Sequence, residues 1–397
     1  MAMRRAGGLV FLSGQNASDR CGGIVAEALL NPAFPYYGSS IKKQTRYVLA
    51  QAKEKLRSAG ISIDHVVKAN VFHTDLHNFN AFDEAWLEVF PHRPPCRATV
   101  GASGSLSPGC LIEVDLIAVE PSISPKAFTS AAPQAPVNYS EVIAAGDFVF
   151  AAGLMASDYK TGVPKEASVD PALSHCGSSI AKQTRYILKN FIEVFAAAGT
   201  SLDHVVKAQV FMKNLRDFDQ YNEVWREFFL VPPPRTTIGV ADLLVRDALI
   251  EIDLIATLPS VKKQAIDRRG SSKLTAMLES ALIAGGLIFV EGLSSASIDP
   301  DPKLKKTVSA TAGGSFASIK EETRFLLGNL MVSFENIGIS LRNTVKAQVF
   351  LLDPADLLGF EEAWGEYFSI ETPRTVIQAA ALRSDGARLE IDLIAEI

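Results

Sequence analysis

No stretch of this sequence stays apolar for the ~18 residues that a membrane-spanning helix needs. The most apolar one, around Val142 to Ala156, is interrupted by Asp147. The N-terminus runs Met1-Ala2-Met3-Arg4-Arg5 into Gly7-Gly8 without an apolar core and cleavage site, so no secretory leader is expected. Cysteine is scarce: Cys21, Cys96, Cys110 and Cys176 have no C-x-x-C spacing. That excludes a disulfide framework or thiolate zinc site and points to reduced thiols in a cytoplasmic protein. Positive charge is also short. The net charge is −5, and the basic clusters, Lys262-Lys263 to Arg268-Arg269 and Lys303 to Lys306, fall in linker-like segments. A nucleic-acid partner needs a basic face and is therefore not expected. There is no G-x-S-x-G elbow, no P-loop and no G-x-G-x-x-G after a strand.

What the sequence has is a long repeat. Lys68-Ala69-Asn70-Val71-Phe72 returns as Lys207-Ala208-Gln209-Val210-Phe211 and as Lys346-Ala347-Gln348-Val349-Phe350, 139 residues apart each time. Thr45-Arg46-Tyr47, Thr184-Arg185-Tyr186 and Thr323-Arg324-Phe325 keep that spacing, as do the only tryptophans, Trp86, Trp225 and Trp364. Solenoid units are ~20–50 residues long, so this is a domain-sized period. Three copies are expected, over 1–125, 133–260 and 275–397, joined by Pro-, Ser- or charge-rich segments. No cysteine recurs in register. His73 and His77 have the i, i+4 spacing of two metal ligands, but the other copies hold Met212/Arg216 and Leu351/Ala355. No metal is expected.

Each copy reads alike. In the second, a strand from Phe148 to Ala152 follows the turn at Gly146-Asp147, with a further strand expected nearby. A helix runs from about Ser178 to Ala198, with Gly199 as its C-cap. A strand, Val205 to Phe211, and a helix near Phe218 to Phe229 follow, the helix ended by Pro232-Pro233-Pro234. Arg235 to Val240 and Leu249 to Ile255 read as two closing strands joined by a short turn. The order predicts an α+β domain with its helices on one face of a mixed sheet.

Several segments resemble the reactive-intermediate deaminase family, also called RidA/YjgF or L-PSP-type proteins. They are Phe11-Leu12-Ser13-Gly14-Gln15, Gln44-Thr45-Arg46, Val66-Val67-Lys68, the Pro-x-Arg segment and the late Ile112-Glu113-Val114-Asp115. The resemblance implies a chorismate-mutase-like fold and trimers with clefts between subunits. Three fused copies would then form a single-chain pseudo-trimer, a monomer closing on itself. It also implies a cofactor-independent hydrolysis of small carboxylate-bearing imines or enamines to 2-oxo acids and ammonia. Two alternatives stand beside it: a pathway-specific enzyme of this fold for another reactive carboxylate, and a non-catalytic carboxylate-binding protein.

The arginine fork suits a carboxylate because it offers two parallel charged hydrogen bonds. Arg97, Arg235 and Arg374 match the family's substrate clamp. Glu113, Glu251 and Glu390 each follow their arginine by sixteen residues in an apolar strand, where desolvation favours acid–base work. They match the position that activates water. Asp253, two residues on from Glu251, reads as no more than a surface position. Ser13, Gly14, Gly153 and Gly292 match the family's Ser-Gly, Tyr139 its N-terminal tyrosine, and Asn222 its second-helix asparagine. Copy three has Leu278-Glu279 in place of Tyr139-Ser140. Glu291 replaces a small residue in the cleft and is expected to oppose the substrate carboxylate or to take up its arginine. A closing hairpin turning at Ser384-Asp385-Gly386 would offset Arg374 from Glu390 by about five residues, or ~17 Å at ~3.3 Å per residue. Each arginine is therefore expected to meet the glutamate of another copy.

Overall fold

The computed structural model describes residues 2–19, 22–170, 172, 177–266, 281–297, 316–368 and 372–397. Cys21, Cys176, Leu278-Glu279 and Lys303 to Lys306 lie outside them.

Each copy folds as two helices over one face of a mixed sheet. In the second copy the expected extra strand is Val142–Ala145, a hairpin partner of Phe148–Ala151. Gly146 makes its tight turn with φ 59°, a left-handed conformation that costs glycine little. The helix Ser179–Ala197 is capped by the Ser178 side chain, which accepts from the Ala181 N–H. Its apolar stripe of Ile187, Phe191 and Val194 packs with Tyr221 and Trp225 of the helix Phe218–Phe228. The equivalent pairs are Ser40–Ser58 with Phe79–Val89 and Ile319–Asn336 with Leu357–Tyr367.

The closing strands do not form the expected hairpin. Arg235–Gly239 runs parallel to Val205–Met212, with Arg235 beside Ala208. Ile250–Thr257 runs antiparallel on that strand's other side, with Glu251 beside Phe211. The same order places Arg97 beside Ala69 and Glu113 beside Phe72, and Arg374 beside Ala347 and Glu390 beside Phe350. The cause is the helix Phe218–Phe228, which makes the preceding connection a crossover and so forces parallel pairing. The residues read as a turn serve the neighbouring copy instead. Asp242–Leu243 pairs with Gly101 and Val100 of the first copy, and Ala381–Leu382 with Gly239 and Ile238 of the second. The Ser103 N–H donates to the Gln378 carbonyl at 3.3 Å and closes the circle. The joins between copies also carry structure, since Lys126–Phe128 and Lys263–Ala265 add edge strands to the sheets that follow them.

The sheet faces turned away from the helices meet one another. Phe11, Phe150 and Phe289, one from each copy, share a buried cluster with Ile117, Ile255 and Ile394. Phe72, Phe211 and Phe350 share a second. Between these clusters lies a small cavity ringed by lysines, aspartates and amides. Lys68 pairs with Asp253, Lys207 with Asp392 at 2.7 Å, and Lys346 with Asp115, each pair crossing between copies. Each ammonium also donates to a carbonyl of the same neighbour: Ala151, Val290 or Leu12. Asp253 is therefore no surface residue: it is buried in this ring. Removing one partner of a buried pair leaves the other uncompensated, at a cost of about 3–5 kcal/mol. Lys207→Met should lower the denaturant stability of the chain by that order, and Asp392→Leu added to it should restore part of the loss. A single substitution without effect on the unfolding midpoint would mean that the ring does not hold the copies together.

Candidate active sites between the copies

The three candidate sites lie where one copy's arginine strand meets the next copy's glutamate strand. Three hydrogen bonds set the match. The Gly153 N–H donates to the Arg97 carbonyl at 3.2 Å, Gly292 to Arg235 at 3.3 Å, and Gly14 to Arg374 at 3.0 Å. Each glycine lies against its own copy's glutamate so closely that a Cβ would stand 2.1 Å from Glu251 Oε1, 2.2 Å from Glu390 Oε1 or 2.3 Å from Glu113 Oε1. Ala98, Thr236 and Thr375 of the neighbouring copies crowd it from the other side. A larger residue at any of these positions would have to displace the glutamate and press on the neighbouring copy.

The clefts are therefore Arg97 with Glu251, Arg235 with Glu390, and Arg374 with Glu113. Arginine and glutamate meet across copies as expected, although the closing strands form no hairpin. Tyr139 joins Arg97, Gly153 and Glu251 in one cleft. Ser13 and Gly14 line another with Arg374. Glu291 precedes Gly292 in the third, and its charge bears on Glu390.

The three glutamates share one environment. Burial pushes each carboxyl up to about 8, and the aspartate two residues on (Asp115, Asp253 or Asp392) adds to the rise. Glu251 Oε1 accepts from the Thr99 N–H of the first copy at 3.2 Å.

The arginines lie over an aromatic floor from the second helix, spaced i, i+3, i+7. Arg235 Cζ is 5.3 Å from the Phe218 ring centre, 5.2 Å from Tyr221 and 5.1 Å from Trp225. Arg97 is held the same way over Phe79, Phe82 and Trp86, and Arg374 over Phe360 and Trp364. The tryptophans that mark the repeat thus serve the arginines. Sequence reading did not assign them this role, although their spacing ahead of each arginine is regular.

The arginines differ in what already holds them. Arg97 is buried and donates to Asp83 at 2.7 Å, and Asp83 also accepts from Asn138 Nδ2 at 2.8 Å. Arg374 donates from one nitrogen to both oxygens of Glu361, at 2.5 and 2.7 Å. Arg235 donates to Tyr221 Oη at 3.2 Å and Asn222 Oδ1 at 3.0 Å, both neutral. Two arginines are thus taken up by Asp83 and Glu361 of their own copies, side chains that match Asn222. Ser13 and Tyr139 are engaged locally: Ser13 Oγ accepts from the Ala2 N–H at 2.9 Å, and Tyr139 Oη from Ala135 at 3.1 Å.

The remaining candidates do not form sites. His73 is buried against Phe82 and burial holds it down at about 3, while His77 is exposed and paired with Asp75. Cys96 is buried and its thiol pushed up to about 12. Among the described residues no group of His, Cys, Asp and Glu could hold a metal, and no helix is long and apolar enough to cross a membrane.

A family model described as endoribonuclease L-PSP matches this chain three times, over residues 2–120, 129–258 and 302–397. A RutC family protein of Pyrococcus horikoshii is 37% identical over 129 residues, which is 32% of this chain and 94% of that protein. The chloroplastic Reactive Intermediate Deaminase A of Arabidopsis thaliana is 35% identical over 131 residues, 33% of this chain and 64% of that protein. The 2-iminobutanoate/2-iminopropanoate deaminase of Dermatophagoides farinae is 32% identical over 139 residues, 34% of this chain and 99% of that protein.

Proposed function

This chain belongs to the endoribonuclease L-PSP family three times over, and from that premise we propose that it hydrolyses 2-imino acids to 2-oxo acids and ammonia, chiefly in the Arg235–Glu390 cleft. The observation that carries the reading is that both hydrogen-bond acceptors of Arg235, Tyr221 and Asn222, are neutral. Its guanidinium is bonded to no carboxylate and can take that of a substrate, whereas Arg97 and Arg374 already hold tethered ones. A free carboxylate entering either of those clefts must displace Asp83 or Glu361.

With the carboxylate on Arg235, the imine carbon faces Glu390 across the interface. Ionised Glu390 takes a proton from water as the oxygen adds to the imine carbon. It returns that proton to nitrogen; as the C–N bond breaks the carbinolamine hydroxyl gives its own proton to Glu390, and ammonia leaves with the 2-oxo acid as product. Burial prepares Glu390 for this exchange, because a carboxyl near 8 is a far better base than an ordinary one. The substrate is already reactive, so positioning and one proton carrier suffice.

The test is release of ammonia and 2-oxo acid from an imine generated in the assay by an amino acid oxidase. Release no faster than the spontaneous rate would remove the catalytic reading and leave a carboxylate-binding protein. Glu361→Asn gives Arg374 the kind of neutral partner that Arg235 has, and should add a second bound 2-oxo acid per chain in calorimetry. An unchanged stoichiometry would show that Glu361 is not what closes that cleft.

A further inference from the structure

The Arg235–Glu390 cleft holds a second guanidinium that its two counterparts lack. Arg383 stands nine residues after Arg374 and seven before Glu390; the same steps lead to Leu106 in the first copy and Leu244 in the second. Leu244 lines the Arg97–Glu251 cleft beside Phe79, so this position belongs to the wall of a cleft. In the third copy the wall carries an arginine. Its Cζ is 5.3 Å from the centre of the Phe218 ring, and Arg235 Cζ lies at the same distance from that ring. Two groups so close to one ring centre stand within about twice that distance of each other. The charge of Arg383 also bears on Glu390, opposing the rise in its pKa. The side chain is exposed, and among the described residues its guanidinium makes no hydrogen bond or ion pair.

The charges of the cleft can be weighed against one another. The other two clefts each set one guanidinium against one aspartate or glutamate of the same copy. This one sets Arg235 and Arg383 against Glu291, a difference from the other two that does not depend on the state of the cleft glutamate. Among the described residues this cleft therefore has one positive charge in excess of its counterparts. A 2-imino acid with one carboxylate and a protonated imine nitrogen is a net-neutral zwitterion and leaves that excess standing. The same compound with a second carboxylate carries one net negative charge and complements it.

We propose that Arg383 is a specificity-determining residue that selects 2-imino acids bearing a second, side-chain carboxylate, with Arg235 holding the first carboxylate and Arg383 the second across the Phe218 ring. The inference rests on the deaminase reading for its chemistry, which is unchanged: water adds to the imine carbon, the C–N bond breaks, and the side-chain carboxylate takes no part. An arginine fork supplies the paired charged hydrogen bonds that a carboxylate needs and a leucine supplies none.

The experiment compares imines made in the assay from glutamate and from alanine by oxidases, with the full chain and with Arg383→Leu. The ratio of kcat/KM for the diacid to that for the monoacid should favour the diacid in the natural chain and fall by tenfold or more in the variant. A natural chain that prefers the monoacid, or a ratio that Arg383→Leu does not move, overturns the proposal. Calorimetry separates this outcome from failure of the deaminase reading. If neither imine is turned over, the natural chain should still bind 2-oxoglutarate more tightly than 2-oxobutanoate, and Arg383→Leu should abolish that preference. Equal binding of the two would overturn the diacid assignment independently of catalysis. Arg383→Glu, also at an exposed position, should invert the ratio and guards against a misleading result from the leucine variant.

Discussion

Replacing Glu390 with glutamine is expected to lower turnover by about 10²–10⁴-fold, the usual worth of a positioned general base. Glutamine keeps the shape and the fit against Gly292 but cannot accept the proton of the attacking water. The same change at Glu113 or Glu251 should leave most of the activity, because those carboxyls face arginines already held by Glu361 and Asp83. The pH profile sharpens the test. Glu390 acts ionised, and burial raises its pKa to about 8, so kcat/KM should climb with pH and level off above about 8. That limb should vanish in Glu390→Gln. A profile that falls through this range, or three glutamates of equal importance, would contradict the assignment. Stability should move the other way. A carboxyl whose pKa is higher folded than unfolded favours the fold while protonated. Its contribution is complete below the ordinary carboxylate range and is lost as pH rises toward 8. All three glutamates share this sign, so unfolding by denaturant should become easier between about pH 5 and 8.

Arg235→Lys should cost about 10- to 150-fold in kcat/KM. The lysine keeps a positive charge but loses the fork, and charged hydrogen bonds are worth roughly 1.5–3 kcal/mol each. It also loses the flat stacking on Phe218, Tyr221 and Trp225. Arg374→Lys, made for comparison, should change activity little, since Glu361 occupies that guanidinium. Steady-state kinetics on one imine separates the outcomes. Equal losses at both positions would mean that Glu361 yields to substrate and that more than one cleft turns over. No loss at either would remove the carboxylate clamp.

The repeat and the order of elements were legible because they are written in local pattern. Apolar spacing, glycine turns and proline stops act over a few residues, and in-register tripeptides identify the copies. The arginines and glutamates stood out as charges at the edge of apolar strands. The placement of the two closing strands was not legible, because a turn signal at Ser384-Asp385-Gly386 does not say which strand lies beside which. The helix crossover decides that, by forcing Arg374's strand to the far side of Thr344–Leu351. The burial of Asp253 was not legible for a related reason. Alternation along a strand tells which residues share a face, but not whether that face meets solvent or two other sheets.

By itself, then, the sequence determined three domains of one α+β type and the residue types available to chemistry, since these depend on short-range spacing. Only the tertiary structure decided which arginine meets which glutamate, that Asp83 and Glu361 occupy two of the three arginines, and that Arg235 and Arg383 share the Phe218 ring. Those relations join residues of different elements, and most join different copies. They follow from the closure of three sheets around one axis, which puts atoms in contact that no local spacing relates.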